Sequence, residues 1–383
     1  MTHNSDTSKK ETTRIISILF SAIFMLLISC PFIIGLLKND LQESSENRTL
    51  EQWDDVFNDE LTLENTFLRI DKYWNDQHGL RQQLNNGYSA FRYKIGIVSS
   101  SDPTWHYGKD GWLFEHQKEN DLSEEDLNAW KKYFDYRGRT ARELGIEYIV
   151  LFAPKKSSIY PEKFNKPEPP KNAASQLYDY LSTASHENIL DIRSALISKK
   201  DTDQIYHKLD IHWNAHGANY AHVELMSRVS EILDDNFYKA RVYDQSWFTL
   251  EDAKEIGLAK AFNLQDYLHE RQPWFADASR FCTRLLASPL DENAAPLDFS
   301  SRVININSFK THCPAGKGRA LMFVDSFSNL LWVFVSEYFQ EVTYISGGKI
   351  PKTDSDLKVL LEKYRPDILI EEIAEKHASK TPQ

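Results

Sequence analysis

After about residue 146 the apolar residues come in short unbroken runs separated by amphipathic stretches, and that spacing restricts the fold more than any other property of the chain. Glu147–Ala153 and Arg319–Val324 read as buried strands, because each is a continuous apolar run, and Ile189–Ile192, Glu341–Ile345 and Asp367–Glu371 continue the rhythm as further strands. Helical periodicity fills the gaps. One helix is opened by Ser123, with Asp126 three residues on, and runs through Leu127, Trp130 and Phe134 to a stop at Gly145. A second covers 172–185, and a third follows Ser328 through Leu331, Phe334 and Tyr338. Strand and helix alternating in this way predict an α/β/α sandwich on a mainly parallel, doubly wound sheet. Ahead of it, Tyr107–Phe114 has the turn chemistry of a β-hairpin, with Asp110-Gly111 supplying positive φ.

The N-terminus follows a different rule. Ile15 to Leu37 is 23 residues without a charge, long enough as a helix to cross a bilayer at 1.5 Å per residue. Lys9, Lys10 and Arg14 precede it, while Asp40, Glu43 and Glu46 follow with Lys38, so the positive-inside rule puts the N-terminus in the cytoplasm and the body outside the inner membrane. Two rivals compete with an uncleaved anchor: a cleaved signal peptide, and a lipoprotein processed at Leu27-Ile28-Ser29-Cys30. The hydrophobic stretch continues past Cys30, which favours the anchor. The expected organisation is therefore 1–14 cytoplasmic, 15–37 transmembrane, 38–103 linker and helical segment, and 104–383 one α/β domain. Within the third part Leu61, Leu63, Phe67, Ile70, Tyr73 and Trp74 recur at helical spacing.

Composition excludes some classes of function. A formal charge of −11 over 383 residues leaves no basic footprint for nucleic acid, and no partner of that kind is expected. Outside the apolar segment only Cys282 and Cys313 remain, which makes a structural disulfide the natural expectation in an oxidising compartment. No CxxC or Cys/His cluster suggests structural zinc.

Two stretches carry chemistry. The strand Arg319–Val324 stops at Asp325-Ser326, which sets Ser326 at the carboxyl end of a strand beside a helix N-terminus, where open α/β sheets bind ligands and backbone N–H groups can meet an oxyanion. Capping by Asp325, Ser326 or Ser328 alone would explain the same residues. In Asp210-Ile211-His212, positions two apart in extended chain share a face, so the carboxylate can fix the imidazole tautomer and leave the other nitrogen to take a hydroxyl proton. A triad of Ser326, His212 and Asp210 is the resulting hypothesis. The alternatives are a metal site built from His207, His212, His216 and Asp210, and a purely structural Trp-rich turn with a satisfied His; His207 and His216 read as incidental surface residues. A helix starting after Asn214 would leave His212 outside it and weaken the metal alternative.

Asp210-Ile211-His212-Trp213-Asn214 and Val324-Asp325-Ser326-Phe327-Ser328 resemble the DxHW and GDSF blocks of the AlgJ/AlgX group of SGNH-like alginate O-acetyltransferases. Glu46-Asn47-Arg48, Gly108–Phe114, Ala153-Pro154-Lys155-Lys156 with Ile159-Tyr160-Pro161, and Pro366–Glu371 match lesser blocks in the same order. The resemblance implies an SGNH-like, flavodoxin-like domain in the periplasm, with Ser326 as nucleophile, His212 as general base and Asp210 as its orienting partner. It further implies transfer of acetyl through an acyl-serine to an exopolysaccharide hydroxyl, with acetyl supplied by a multi-spanning membrane acyltransferase and no cofactor or metal. Lys156, Tyr160 and Trp213 are the candidate substrate-binding residues. Val324 stands where the family has Gly, and Lys155 where it has Asn, which leaves the oxyanion hole undefined. The net acidity makes a neutral or mixed glycan as plausible an acceptor as a polyuronate. A carbohydrate acetylesterase and a non-catalytic subunit of an acetylation complex stay open as other readings.

Overall fold

The computed structural model describes residues 3–37, 50–56, 63–96, 105–115, 121–164, 173–183, 188–253, 256–286, 295–296, 308–380 and 382. Glu46-Asn47-Arg48 and the Pro-rich loop 166–170 lie outside the described residues. The chain divides into two compact units, Met1–Val98 with Ala259–Leu268, and Ser99–Leu258 with His269–Gln383.

The first unit holds α1 (His3–Leu37), α2 (Trp53–Val56), α3 (Leu63–Gln77) and α4 (Arg81–Lys94). Within α1, Thr13–Gly35 is long and apolar enough to cross a membrane. The backbone N–H of Gly79, in the turn between α3 and α4, donates to Pro31 O of α1 at 3.2 Å. Polar contacts inside this unit join distant residues: Glu51 N–H donates to Asp76 at 3.0 Å, and Asn86 bridges Gln82 and Asp266.

The second unit opens with the hairpin β1 (Trp105–Tyr107) and β2 (Leu113–Glu115), whose loop carries Asp110 and Gly111 at φ 55° and 79°. There follow α5 (Glu124–Glu143), β3 (Glu147–Ala153), α6 (Lys156–Ile159), α7 (Ala173–Thr183), β4 (Ile189–Asp191), α8 (Arg193–Lys199) and α9 (Ala215–Ile232). Next come β5 (Phe248–Asp252), α10 (Gly257–Ala261), whose last three residues belong to the first unit, β6 (Arg271–Phe275), β7 (Arg284–Leu286), β8 (Ala295–Pro296) and β9 (Phe309–His312). The last elements are β10 (Arg319–Val324), α11 (Ser328–Val335), β11 (Glu341–Ser346), α12 (Asp354–Tyr364) and β12 (Ile368–Ala374). The Ser123–Asp126 capping box forms in both directions, and Gly145 ends that helix with φ 71°.

The main sheet runs β4-β3-β12-β10-β11-β9-β7-β8. Its first five strands are parallel, as the alternation predicts, but β9, β7 and β8 extend it antiparallel, so the sheet is mixed. These three edge strands, of four, three and two residues, are too short to be read as buried runs. Alternation of side chains splits the core in two. Ile149, Leu151, Met322 and Val324 pack on one face with residues of α8, α9 and α11, while Tyr148, Val150, Leu321 and Phe323 pack on the other with α5, α7 and α12. Cys282 and Cys313 form a disulfide with Cα atoms 5.1 Å apart.

β3 leads outward to β4 and β10 outward to β11 in the opposite direction, with β12 between them. Chain connections thus diverge at the carboxyl ends of β3 and β10, which opens a crevice there.

Candidate active site

Ser326 sits in the turn between β10 and α11, at the carboxyl end of a central strand. The turn is fixed from both sides. Asp325 accepts the N–H of Phe327 at 2.9 Å and that of Ala374, at the end of β12, at 2.7 Å. The buried Glu372 of β12 accepts the N–H of Asp325 at 3.1 Å and the hydroxyl of Ser328 at 2.8 Å. The turn is therefore held by the neighbours of Ser326, and its own Oγ is free to point elsewhere. Burial, and then the charge of Asp325, push the Glu372 carboxyl well above its ordinary range.

The opposite wall is the loop 205–214. A bridge between Tyr206 and Trp213 closes it, with His207 N–H donating to His212 O at 3.2 Å and Asn214 N–H to Ile205 O at 3.1 Å. Asn214 then caps α9, accepting from the N–H groups of His216 and Gly217. Between the bridge positions the chain bends. Asp210 and His212 are brought together by a turn, not by the extended alternation expected from the sequence. Asp210 Oδ1 accepts both the backbone N–H of His212 at 3.1 Å and its ring Nδ1 at 2.6 Å. Short side chains that bond a backbone N–H two residues on stabilise turns of this kind, and the turn chemistry competes successfully with a strand.

The three expected side chains converge. His212 Nε2 lies 2.8 Å from Ser326 Oγ. Because an ionised Asp210 can only accept, Nδ1 carries the ring hydrogen and Nε2 presents its lone pair to the serine hydroxyl. Asp210 Oδ2 accepts the N–H of Gly257 at 2.8 Å, and a Cβ at residue 257 would come within 2.6 Å of that oxygen, so the close approach requires glycine. Burial raises the Asp210 pKa, but the hydrogen bond and charge of the His212 imidazole outweigh it and hold the carboxyl well below the usual range. The two walls are stitched by Trp213, whose Nε1 donates to Phe327 O at 2.9 Å, and by Phe327, whose ring meets that of His212 edge-on at 4.8 Å. Among the described residues the N–H of Ser326 makes no hydrogen bond.

Lys156, Tyr160 and Trp213, expected to bind substrate, are all buried. Lys156 Nζ donates to the carbonyls of His207, Lys208 and Asp210 at 2.9, 3.1 and 2.6 Å, which holds the Asp210 loop from inside. Burial lowers its pKa to about 7 against the pull of Asp210 and Glu270. Tyr160 accepts Ile205 N–H at 3.1 Å and stacks at an angle on Trp112. None of the three faces an open cleft. His207 is fully buried, not a surface residue, and His216 lies 3.7 Å from Asp203, so the histidines do not gather around one point as metal ligands.

Glu270 could not be singled out from the sequence. Its carboxylate accepts the N–H groups of Lys208 and Leu209 at 2.8 and 3.1 Å, which complements Lys156 on the same loop. Glu372 did carry a signal, as the second of two acids in the apolar run Ile368–Ala374.

A mixed α/β sheet flanked by helices, with Ser, His and Asp meeting at its carboxyl edge, is the arrangement of an enzyme whose serine is activated by an imidazole. More specifically, residues 106–276 match the family model described as the SGNH hydrolase-like domain of the acetyltransferase AlgX, the group that the motifs resemble. That segment includes Asp210 and His212 and ends before Ser326. A probable alginate O-acetylase AlgJ of Pseudomonas fluorescens is 22% identical over 167 residues, covering 42% of this chain and 42% of the relative. One from Pseudomonas aeruginosa is 27% identical over 166 residues, with 42% of each chain covered. The match thus spans less than half the length of these curated relatives. Among solved structures, Bacillus cereus PatB1 has a TM-score of 0.51 at 12% identity, covering 70% of this chain and 95% of that one. A DHHW family protein from Eubacterium siraeum has a TM-score of 0.51 at 13% identity, covering 70% and 90%. These two likenesses concern the fold.

Proposed function

We propose that the chain is an SGNH-like O-acetyltransferase that moves acetyl groups through Ser326 onto hydroxyls of an exopolysaccharide, alginate or another envelope glycan. The observation that carries this is the hydrogen-bonded line from Asp210 through His212 to Ser326, at 2.6 and 2.8 Å. In the first half-reaction Ser326 Oγ attacks the acetyl carbonyl as its proton passes to His212 Nε2, and the oxyanion forms against the N–H of Ser326. The imidazolium gives that proton to the leaving group, and acetyl-serine remains. In the second half a sugar hydroxyl gives its proton to Nε2 and attacks the acetyl carbonyl. Ser326 then leaves and recovers the proton. Asp210 stays ionised throughout and stabilises the imidazolium.

The catalytic domain starts near residue 104, behind the segment 38–103 and an anchor at 15–37, and works in the periplasm. There a multi-spanning membrane acyltransferase supplies acetyl. The experiment is incubation of the full chain with a chromogenic acetyl ester, with and without candidate oligosaccharides. Acetylated sugar by mass spectrometry supports the proposal. Acetate release that no sugar alters means an esterase, and no turnover means a non-catalytic subunit.

A further inference from the structure

In the first unit α4 is inverted relative to a helix of a water-soluble body. Leu84, Tyr88, Phe91 and Ile95 recur at i, i+4, i+7 and i+11, which lines one face of a helix, and all four are exposed, from 50% to 63%. The opposite face carries the buried Asn86 and Ala90, with Asn86 donating to Asp266 at 2.5 Å and accepting from Gln82 at 2.7 Å. The large apolar side chains thus lie outside, while the inner face holds a buried amide and a small alanine.

Charge follows the same logic. The helix contains Arg81, Arg92 and Lys94 and no acid, in a chain whose formal charge is −11. The Arg92 guanidinium lies 5.5 Å from the centre of the Tyr88 ring, so cation and aromatic share one edge of the apolar face. An apolar stripe with aromatic and basic flanks is the composition of a helix lying in the interfacial layer of a membrane.

The position of α4 supplies the occupant. Gly79, two residues before its start, donates its N–H to Pro31 O, and a Cβ there would meet Ile34 and Gly35. Pro31 lies four residues inside the end of the apolar segment Thr13–Gly35, which is ~6 Å along a helix axis. The start of α4 is therefore tied to the last turn of α1, at the depth where hydrocarbon gives way to headgroups.

We propose that α4 lies on the bilayer with Leu84, Tyr88, Phe91 and Ile95 in the acyl boundary and Arg81, Arg92 and Lys94 on anionic headgroups. This rests on the reading of α1 as a membrane span. The test uses the full chain carrying Cys30→Ser, reconstituted in vesicles of phosphatidylcholine with phosphatidylglycerol. Single cysteines at Leu84, Phe91, Gln83, Asn85 and, as a control in the span, Phe24 are spin-labelled, and collision with oxygen and with a water-soluble nickel chelate is measured.

The expected result is an oxygen-to-nickel ratio several-fold higher at 84 and 91 than at 83 and 85, together with a lipid-like ratio at 24. A lipid-like label at 24 with aqueous labels at 84 and 91 overturns this inference and leaves the span standing. Labels at 84 and 91 shielded from both reagents mean that protein covers the face, which also overturns it. An aqueous label at 24 removes the span and the inference together.

Discussion

Asp210→Asn tests the electrostatics of the site, because every partner of that carboxylate is a donor. Oδ1 accepts the backbone N–H and ring Nδ1 of His212, and Oδ2 accepts Gly257 N–H. An amide has only one acceptor oxygen. With its NH2 toward Gly257, one buried N–H is left unpaired, at a cost of about 1–3 kcal/mol in stability. With its NH2 toward His212, two donors are opposed and the ring must move its hydrogen to Nε2, which removes the lone pair that Ser326 needs and costs on the order of 10⁴ in turnover. The first orientation forfeits fewer bonds and should prevail. Even then the imidazolium formed in the transition state loses its counter-charge, worth ~4 kcal/mol at about 4 Å and an effective dielectric near 20. At 1.4 kcal/mol per tenfold, kcat for a chromogenic acetyl ester falls about 10³-fold with KM little changed, and thermal unfolding shifts downward. Activity within tenfold of the parent would refute the reasoning.

Lys156→Met leaves three loop carbonyls facing an apolar side chain; a loss of roughly 2–5 kcal/mol in unfolding free energy, with a fall in kcat, is expected from denaturant titration and kinetics. Glu372 has a raised folded pKa, so the native state keeps a proton that the unfolded chain has released. Its contribution is therefore complete below the ordinary glutamate range and is lost as pH rises toward the folded value, by at most ~1.4 kcal/mol per pH unit. Glu372→Gln keeps the neutral hydrogen-bonding shape and should flatten that slope, which unfolding measured from pH 5 to 9 will show. Reduction of Cys282–Cys313, which closes a separation of 31 residues, should cost about 3–4 kcal/mol of stability.

The parallel half of the sheet was legible because its strongest strands are runs of apolar residues set among helical patterns, as in Arg319–Val324 followed by Leu330–Phe339. Helix ends were legible where capping chemistry is local, at Ser123, Gly145 and Asn214. The antiparallel edge was not, since Phe309–His312 and Arg284–Leu286 are only four and three residues long and take their place from pairing to strands distant in the chain. At the site, the types and order of Ser326, His212 and Asp210 were readable, but their supports were not. Lys156 was expected to bind substrate because it falls in the block Ala153-Pro154-Lys155-Lys156 that carries part of the family resemblance. It is buried because three carbonyls of a loop more than fifty residues away satisfy its ammonium. Glu270 and Gly257 act on the same loop from later in the chain, and no local pattern marks long-range partners of that kind.

The most direct measurement traps the acyl-enzyme. The full chain is mixed with an acetyl ester, quenched in acid within the first turnovers, digested and mapped by mass spectrometry. One acetyl group on Ser326, lost in Ser326→Ala and strongly reduced in His212→Ala, is the predicted result. Turnover that persists in Ser326→Ala, or acetyl carried on another residue, would contradict the account.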